Sequence, residues 1–274
     1  MLGERTSRIV FGTAVTCPTY RHHPSQVAQV FASLGVLYPG RIYLGTGTGE
    51  AVNELASTGS WEPYQKRADR WVEAIEVIRQ LWKGDWIQHK GTYYQLPVAK
   101  LYDVPAQPLP IYMAASGPNS ARLVGQLGDG WITGASDLMQ KPKLMQAFRE
   151  GAQAAGRDPD SLPIRAETYV VVGGEEDARA AASRWHFTPK AWTKDFLWEP
   201  DPREMQRKAE AQIPLEEVYK SWPVSEDPAV HVAAIQKVLE ADASHIYIHS
   251  GQSDQRKVID FYGNQVLPML RNAR

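Results

Sequence analysis

The sequence predicts a parallel α/β protein. A (β/α)8 barrel suits it best, because strands alternate with helices and each strand ends in small or polar residues. The length agrees, since 274 residues can bury one large core. Parallel strands joined through helices must be linked by right-handed crossovers. Only six such strands are legible, so a doubly wound sheet stays open on topology alone.

Residues 8–15 (RIVFGTAV) are a β-branched run closed by Thr16-Cys17-Pro18. Pro24 is well placed as a first helical residue, and Val27, Phe31 and Leu34 follow at helical spacing until Pro39-Gly40 stops the pattern. The apolar run Ile42-Tyr43-Leu44 reads as a buried strand, breaks into Gly45-Thr46-Gly47-Thr48-Gly49, and gives way to a helix near Ala51. From Tyr64 the positions Ala68, Trp71, Ile75, Ile78 and Trp82 step by three and four, so one helix face is apolar. Lys90-Gly91 separates two aromatic-rich runs and predicts a hairpin over 85–96. Further strands are expected at 110–115, 130–134, 167–173 and 245–249, each with a helix behind it. Residues 188–222 are mostly polar and helical with scattered Pro and Trp, which reads as an insertion. The expectation is one domain over 1–274, with insertions near 85–107 and 186–222.

Composition excludes several classes. Thirty basic against thirty-one acidic side chains leave almost no net charge, which argues against nucleic acid or an anionic membrane as the main partner. Cys17 is the sole cysteine, so no internal disulfide or cysteine-based metal site forms. No apolar run reaches membrane-spanning length, and the first residues are too charged for a signal peptide. A cytoplasmic protein is expected. Nine tryptophans imply a large core or a wide apolar pocket.

The glycine run carries the most chemistry. Glycines let a backbone turn sharply and let a ligand come close. Glu50 follows directly, at the strand end where parallel α/β proteins place their chemistry, although a carboxylate there also complements a helix dipole. The spacing is G-x-G-x-G, not the Rossmann pattern, and no Gly-Lys-Ser/Thr follows to make a P-loop. His22 and His23 are adjacent and point apart, which suits a solvated loop better than a metal site. His245 and His249 flank a strand, with a structural role favoured for His249 at its C-terminal end.

The blocks GERTSRIVFGTAVTCPTYRHHP, LYPGRIYLGTGTGEAVNE, KGTYYQLPVAKLYDVP, PIYMAASGP, GDGWITGAS and HIYIHSGQSDQR occur in one order along the chain. Together they resemble the luciferase-like superfamily, and within it the F420-dependent glucose-6-phosphate dehydrogenase group. The resemblance implies a luciferase-like TIM barrel that binds coenzyme F420, with FMN as the alternative cofactor. Members carry a further strand, helix and strand before the GERT segment, ending in an Asp-His pair and a Trp used at the active site. Met1-Leu2-Gly3 begins after them, so the six legible strands correspond to the third to eighth of the barrel. On that expectation the strands at 8–15 and 245–249 are unpaired edges.

The implied reaction is hydride transfer between an alcohol or hemiacetal carbon and the deazaflavin. An FMN-dependent monooxygenase or an inactive truncated barrel are the rivals. By the resemblance Glu50 matches a carboxylic acid beside the deazaflavin, while Gly49 and Asn53 belong to the cofactor-contacting stretch. Ala114, Ala115, Ser116 and Gly117 match a small-residue cofactor loop, where backbone N–H groups at a helix start could receive an anion. Ala14 and Val15 match a pair that many members join by a cis peptide against the ring, with Ala14 standing where the sugar-phosphate enzymes have Ser. Basic residues that hold phosphate in those enzymes are replaced by Gly134-Ala135-Ser136 and by Ser221 beside Trp222. Lys190 or Lys194 could supply one charge, yet glucose 6-phosphate fits poorly. A neutral alcohol fits as well, or a larger apolar one met by Trp185, Trp192 and Trp198. No metal is expected, and a homodimer is.

Overall fold

The computed structural model describes residues 1–191 and 193–272. Trp192 therefore lies outside the described residues. The chain forms two compact units, Met1–Ile132 with Ala147–Leu162, and Thr133–Gln146 with the chain from Pro163 onward. Among the described residues no helix is long and apolar enough to cross a membrane.

The first unit is built on parallel strands β1 (Phe11–Gly12), β2 (Ile42–Thr46), β5 (Ile111–Ala114) and β6 (Gly130–Gly134), adjacent in that order. The last two residues of β6 fall in the second unit. Register pairs Phe11 with Ile42, Leu44 with Ile111 and Met113 with Trp131. All five residues of β2 are buried, as expected of a parallel strand covered on both faces. An antiparallel hairpin of β3 (Ile87–Lys90) and β4 (Gln95–Ala99) stands apart from these strands. Glu73 fastens it, because its carboxylate accepts the backbone N–H groups of Thr92, Tyr93 and Tyr94 and pairs with His89.

The strand expected over 8–15 is only two residues long. Thr13 ends the ladder by donating its own hydroxyl to the Gly45 carbonyl at 2.8 Å, and the Thr16 N–H reaches that same carbonyl at 2.8 Å. Helix Pro24–Leu37 starts as the sequence predicts. Pro24 opens it, and the cap is His23, whose Nδ1 accepts from the Ser25 N–H. The expected solvated His22–His23 loop thus carries a helix cap. Helix Tyr64–Leu81 buries Ala68, Trp71, Ile75 and Ile78, and the Trp71 indole donates to Thr46 Oγ1 at 2.9 Å, pinning the end of β2.

In the second unit β7 (Ile164–Tyr169) runs parallel to β8 (His245–His249), with Arg165 opposite His245 and Tyr169 opposite His249. β7 begins three residues before its expected start, since Arg165 interrupts the apolar run in sequence and is nevertheless buried. Beyond Tyr169 the chain stays extended but changes partner. The Val171 N–H donates to Pro223 and the Ser225 N–H to Val171. Val170, Val172, Val232, Ile235, Phe261 and Val266 form the core here. The polar stretch read as an insertion holds short helices Lys194–Leu197, Pro202–Gln212 and Leu215–Tyr219.

Candidate active site

In the first unit the ends of β1, β2 and β5 converge on small residues. A Cβ on Gly45 would collide with the Thr13 carbonyl oxygen, so β1 and β2 approach closely only because that position is bare. A Cβ on Gly47 would sit 2.9 Å from Val15 Cγ2 and 3.6 Å from Ala114 Cβ, which places Val15, Gly47 and Ala114 together. The Ala14–Val15 peptide is cis, as the resemblance implies, and both residues are exposed. Gly49 has φ +79° and lies against the Cys17 thiol and Glu54, so its conformation and its space both require glycine.

Glu50 is the N-cap residue of helix Ala51–Thr58, yet its side chain makes no capping bond. The helix therefore leaves that carboxylate free for chemistry. Asn53, one turn on, donates its Nδ2 to Glu50 Oε2 at 3.1 Å. Solvent reaches Glu50, but the protein crowded about it strips water from the carboxylate. This desolvation raises its pKa; the Asn53 hydrogen bond works against the rise, and the nearby Glu54 charge adds to it. Glu54 itself is fully buried, ion-paired with Arg21 at 3.1 Å and bonded to the Arg21 N–H at 3.3 Å. Burial also pushes the neighbouring Cys17 thiol up to about 11, so it stays protonated.

The small-residue loop after β5 offers only part of the expected backbone anion cradle. The Ala115 N–H is already spent on the Ile132 carbonyl and the Gly117 N–H on Ser120 Oγ, and Pro118 has none to offer. Ala114, Ser116 and Gly117 are half-exposed and Ala115 is buried, so what the loop presents is bare surface.

Sequence reasoning missed Arg67. It is 4% exposed, it stacks with its guanidinium 4.0 Å from the Trp61 ring centre, and it donates to the Glu62 carbonyl at 3.0 Å and towards Thr48 Oγ1 at 3.4 Å. Among the described residues no carboxylate pairs with it, and desolvation lowers its pKa. A signal existed. Arg67 stands four residues before Trp71, on the buried stripe of its helix, where a basic residue needs an explanation.

The remaining expected residues belong to the second unit. Lys190 closes a short turn, Thr188–Lys190, with its Nζ 3.4 Å from Gln212 Oε1, and Lys194 is exposed at the start of its helix. Ala135 is buried at the head of helix Ala135–Gln140, and Ser221 is exposed. Trp198 is 44% exposed, while Trp185 packs with Tyr169 and His249.

Parallel strands whose C-terminal ends hold bare glycines and a carboxyl of raised pKa, with the buried Arg67 guanidinium reaching Thr48 from the following helix, define a ligand-binding α/β enzyme scaffold. The chain belongs to the luciferase-like monooxygenase family, whose profile matches residues 1–245, and it has that family's TIM-barrel type of fold. It is 51% identical over 271 residues to the F420-dependent hydroxymycolic acid dehydrogenase of Mycobacterium tuberculosis, covering 99% of this chain and 73% of that protein. It is 38% identical to the F420-dependent glucose-6-phosphate dehydrogenase of Mycolicibacterium gilvum, covering 98% and 81%. Among solved structures, an F420-dependent secondary alcohol dehydrogenase in complex with an F420–acetone adduct superposes with a TM-score of 0.89 at 30% identity, covering 98% of this chain and 82% of the other.

Proposed function

We infer that this chain is an F420-dependent oxidoreductase that moves a hydride between an alcohol carbon and the deazaflavin coenzyme. The observation that carries this reading is Glu50, a helix-cap carboxyl spared from capping and raised in pKa, at a strand end lined by Gly47, Val15 and Ala114. The likeness to three F420-dependent enzymes supplies the coenzyme.

The residues present fit such a group. Exposed Ala14 and Val15, with Gly49 and the bare loop of Ala114, Ala115, Ser116 and Gly117, suit a flat ring system. Among the described residues Arg67 is a buried cation without a carboxylate, apt to neutralise an anionic coenzyme. F420, when bound, supplies the carbon that exchanges hydride with the substrate. Glu50 holds a proton beside the ring because its raised pKa keeps more of it protonated near neutrality. Asn53 fixes the orientation of that carboxyl through the bond to Oε2. Glu54 and Arg21 clamp the segment after β1 to the helix that Glu50 begins.

For the substrate we favour a neutral alcohol over a sugar phosphate, since Lys194 is exposed, Lys190 is half-buried with its Nζ turned to Gln212, and Ser221 offers no charge. Relatives act on both kinds by name, a hydroxymycolic acid and glucose 6-phosphate. A cytoplasmic homodimer is part of the same reading, checked by sedimentation and cell fractionation. The functional test is a titration with F420 and with FMN, followed by F420 reduction with propan-2-ol or glucose 6-phosphate. F420 binding with alcohol-dependent reduction is expected. Binding of FMN alone, or a low-micromolar KM for glucose 6-phosphate, would refute the corresponding half of the reading.

A further inference from the structure

The β3–β4 hairpin shares no ladder with the parallel strands, and its tip is closed around one carboxylate. Glu73 accepts the Thr92 N–H at 3.1 Å, the Tyr93 N–H at 3.0 Å and the Tyr94 N–H at 2.8 Å, and His89 Nε2 lies 3.1 Å from it. Successive backbone N–H groups make an anion cradle, and here the chain fills it with its own side chain. Gly91 admits that approach, since a Cβ there would collide with Glu73 Oε1.

The latched tip carries two rings that reach the segment after β1. Tyr94 is buried, and its hydroxyl donates to the Thr19 carbonyl at 3.0 Å. Its ring meets His23, the cap of helix Pro24–Leu37, edge-on at 5.2 Å. The Arg70 guanidinium joins Tyr93 to Tyr20, standing 4.5 Å and 5.0 Å from their ring centres. Within the same segment Cys17 Sγ lies 3.0 Å from Thr19 Oγ1, and Arg21 closes on Glu54 at 3.1 Å. The Glu54 N–H in turn donates to the Glu50 carbonyl at 2.8 Å. Residues 17–23 are therefore gripped from two sides, by the hairpin tip and by the helix that Glu50 begins.

We propose that the hairpin is a buttress of the coenzyme-binding end: Glu73 latches the tip, and Tyr94 holds residues 18–21 so that Arg21 stays on Glu54, one helical turn after Glu50. Glu73 and Tyr94 are positioning residues that act through that segment. The proposal rests on the oxidoreductase reading for the coenzyme. Such a hold matters because the segment leads out of the exposed Ala14–Val15 pair, and a small displacement of groups around reacting atoms is costly to catalysis.

Cys17, the sole cysteine, is buried in that segment and reports its opening without any coenzyme. Labelling of the folded full chain with dithiobis(nitrobenzoate) is followed beside the urea midpoint and an F420 titration. Tyr94→Phe keeps the ring and removes one hydrogen bond, so it should speed Cys17 labelling about tenfold while the urea midpoint hardly moves. F420 should bind several-fold more weakly. Glu73→Gln should speed labelling at least as much, because the tip that carries Tyr94 is then released. Tyr102→Phe, on the exposed chain after β4, should change none of the three readings. Labelling unchanged in Tyr94→Phe, or quickened only in step with a loss of global stability, overturns the proposal. Quickened labelling with F420 affinity intact overturns it too. The Tyr94 arm decides alone should Glu73→Gln fail to fold. Absence of F420 binding in the wild-type chain sinks the oxidoreductase reading instead, while the labelling response, which needs no coenzyme, still tests the hold on the segment.

Discussion

Gly49→Ala should be among the most damaging single-methyl additions in the first unit. Two effects add. The residue has φ +79°, and holding a non-glycine residue in that region costs about 1–2 kcal/mol. The new Cβ would also stand 2.7 Å from Cys17 Sγ and 2.8 Å from Glu54 Cγ. Neither neighbour can withdraw. Cys17 is buried with its thiol 3.0 Å from Thr19 Oγ1, and Glu54 is buried and tied to Arg21. Overpacking against fixed atoms costs about 1–3 kcal/mol, so the sum is about 2–5 kcal/mol. Against a total stability of about 5–15 kcal/mol, that is enough to read in a urea titration followed by circular dichroism and tryptophan fluorescence together. Cys17→Ala removes one of the two collisions but leaves the backbone term. The double variant should therefore lie closer to Cys17→Ala than Gly49→Ala does to wild type. A Gly49→Ala protein within about 0.5 kcal/mol of wild type would refute the claim that this turn needs glycine for both reasons.

Glu50→Gln should lower F420-dependent turnover while leaving F420 affinity within a few-fold. In the wild type, activity should fall as pH rises through the elevated Glu50 pKa, because the donating form is then lost, and this limb should vanish in the variant. Unchanged turnover at every pH would remove Glu50 from the mechanism. Arg67→Met should weaken F420 about tenfold or more and change stability by about 1 kcal/mol or less, since an apolar chain of similar volume replaces an unpaired buried cation. A large stability loss with F420 binding intact would make Arg67 purely structural. His231 is fully buried between Tyr262 Oη at 2.8 Å and the Ser225 carbonyl at 3.0 Å, and desolvation depresses its pKa below 6.5. The unfolded chain then binds the proton more tightly than the folded one. Stability from this residue is present above pH 6.5 and is lost as pH falls below it, an acid slope that His231→Gln should flatten in urea midpoints.

Much of the scaffold was legible because its signals are local. The strand at 42–46 announces itself by an apolar run followed by glycines, and Pro24 marks the start of its helix. The same holds for Glu50, whose place at a strand end follows from order along the chain. The β1 strand was overestimated, since nothing in RIVFGTAV says that the Thr13 hydroxyl will take the place of a ladder bond. β7 was displaced because a buried Arg165 looks, in sequence, like the end of an apolar run.

Most of what the sequence hid gains its meaning from a partner far along the chain. Arg67 is the exception, since its place on the buried stripe was visible, and what the fold adds is that among the described residues no carboxylate meets it. Glu54 reads as an ordinary surface position on a short helix until Arg21, thirty-three residues earlier, closes over it. Glu167 and His249, eighty-two residues apart, are linked by the register of β7 on β8, which puts Tyr169 opposite His249. Sequence placed His249 at a strand end and favoured a structural role. The geometry gives the ring a structural half, bonded to Glu167, and leaves its other nitrogen open. A motif along one segment can be recognised residue by residue, whereas a pair such as Glu167 and His249 exists only once the strands align. At 51% identity to one F420-dependent enzyme and 38% to another, the chain has room to differ from both in what it binds, because a few side chains lining a site are enough to redefine its ligand.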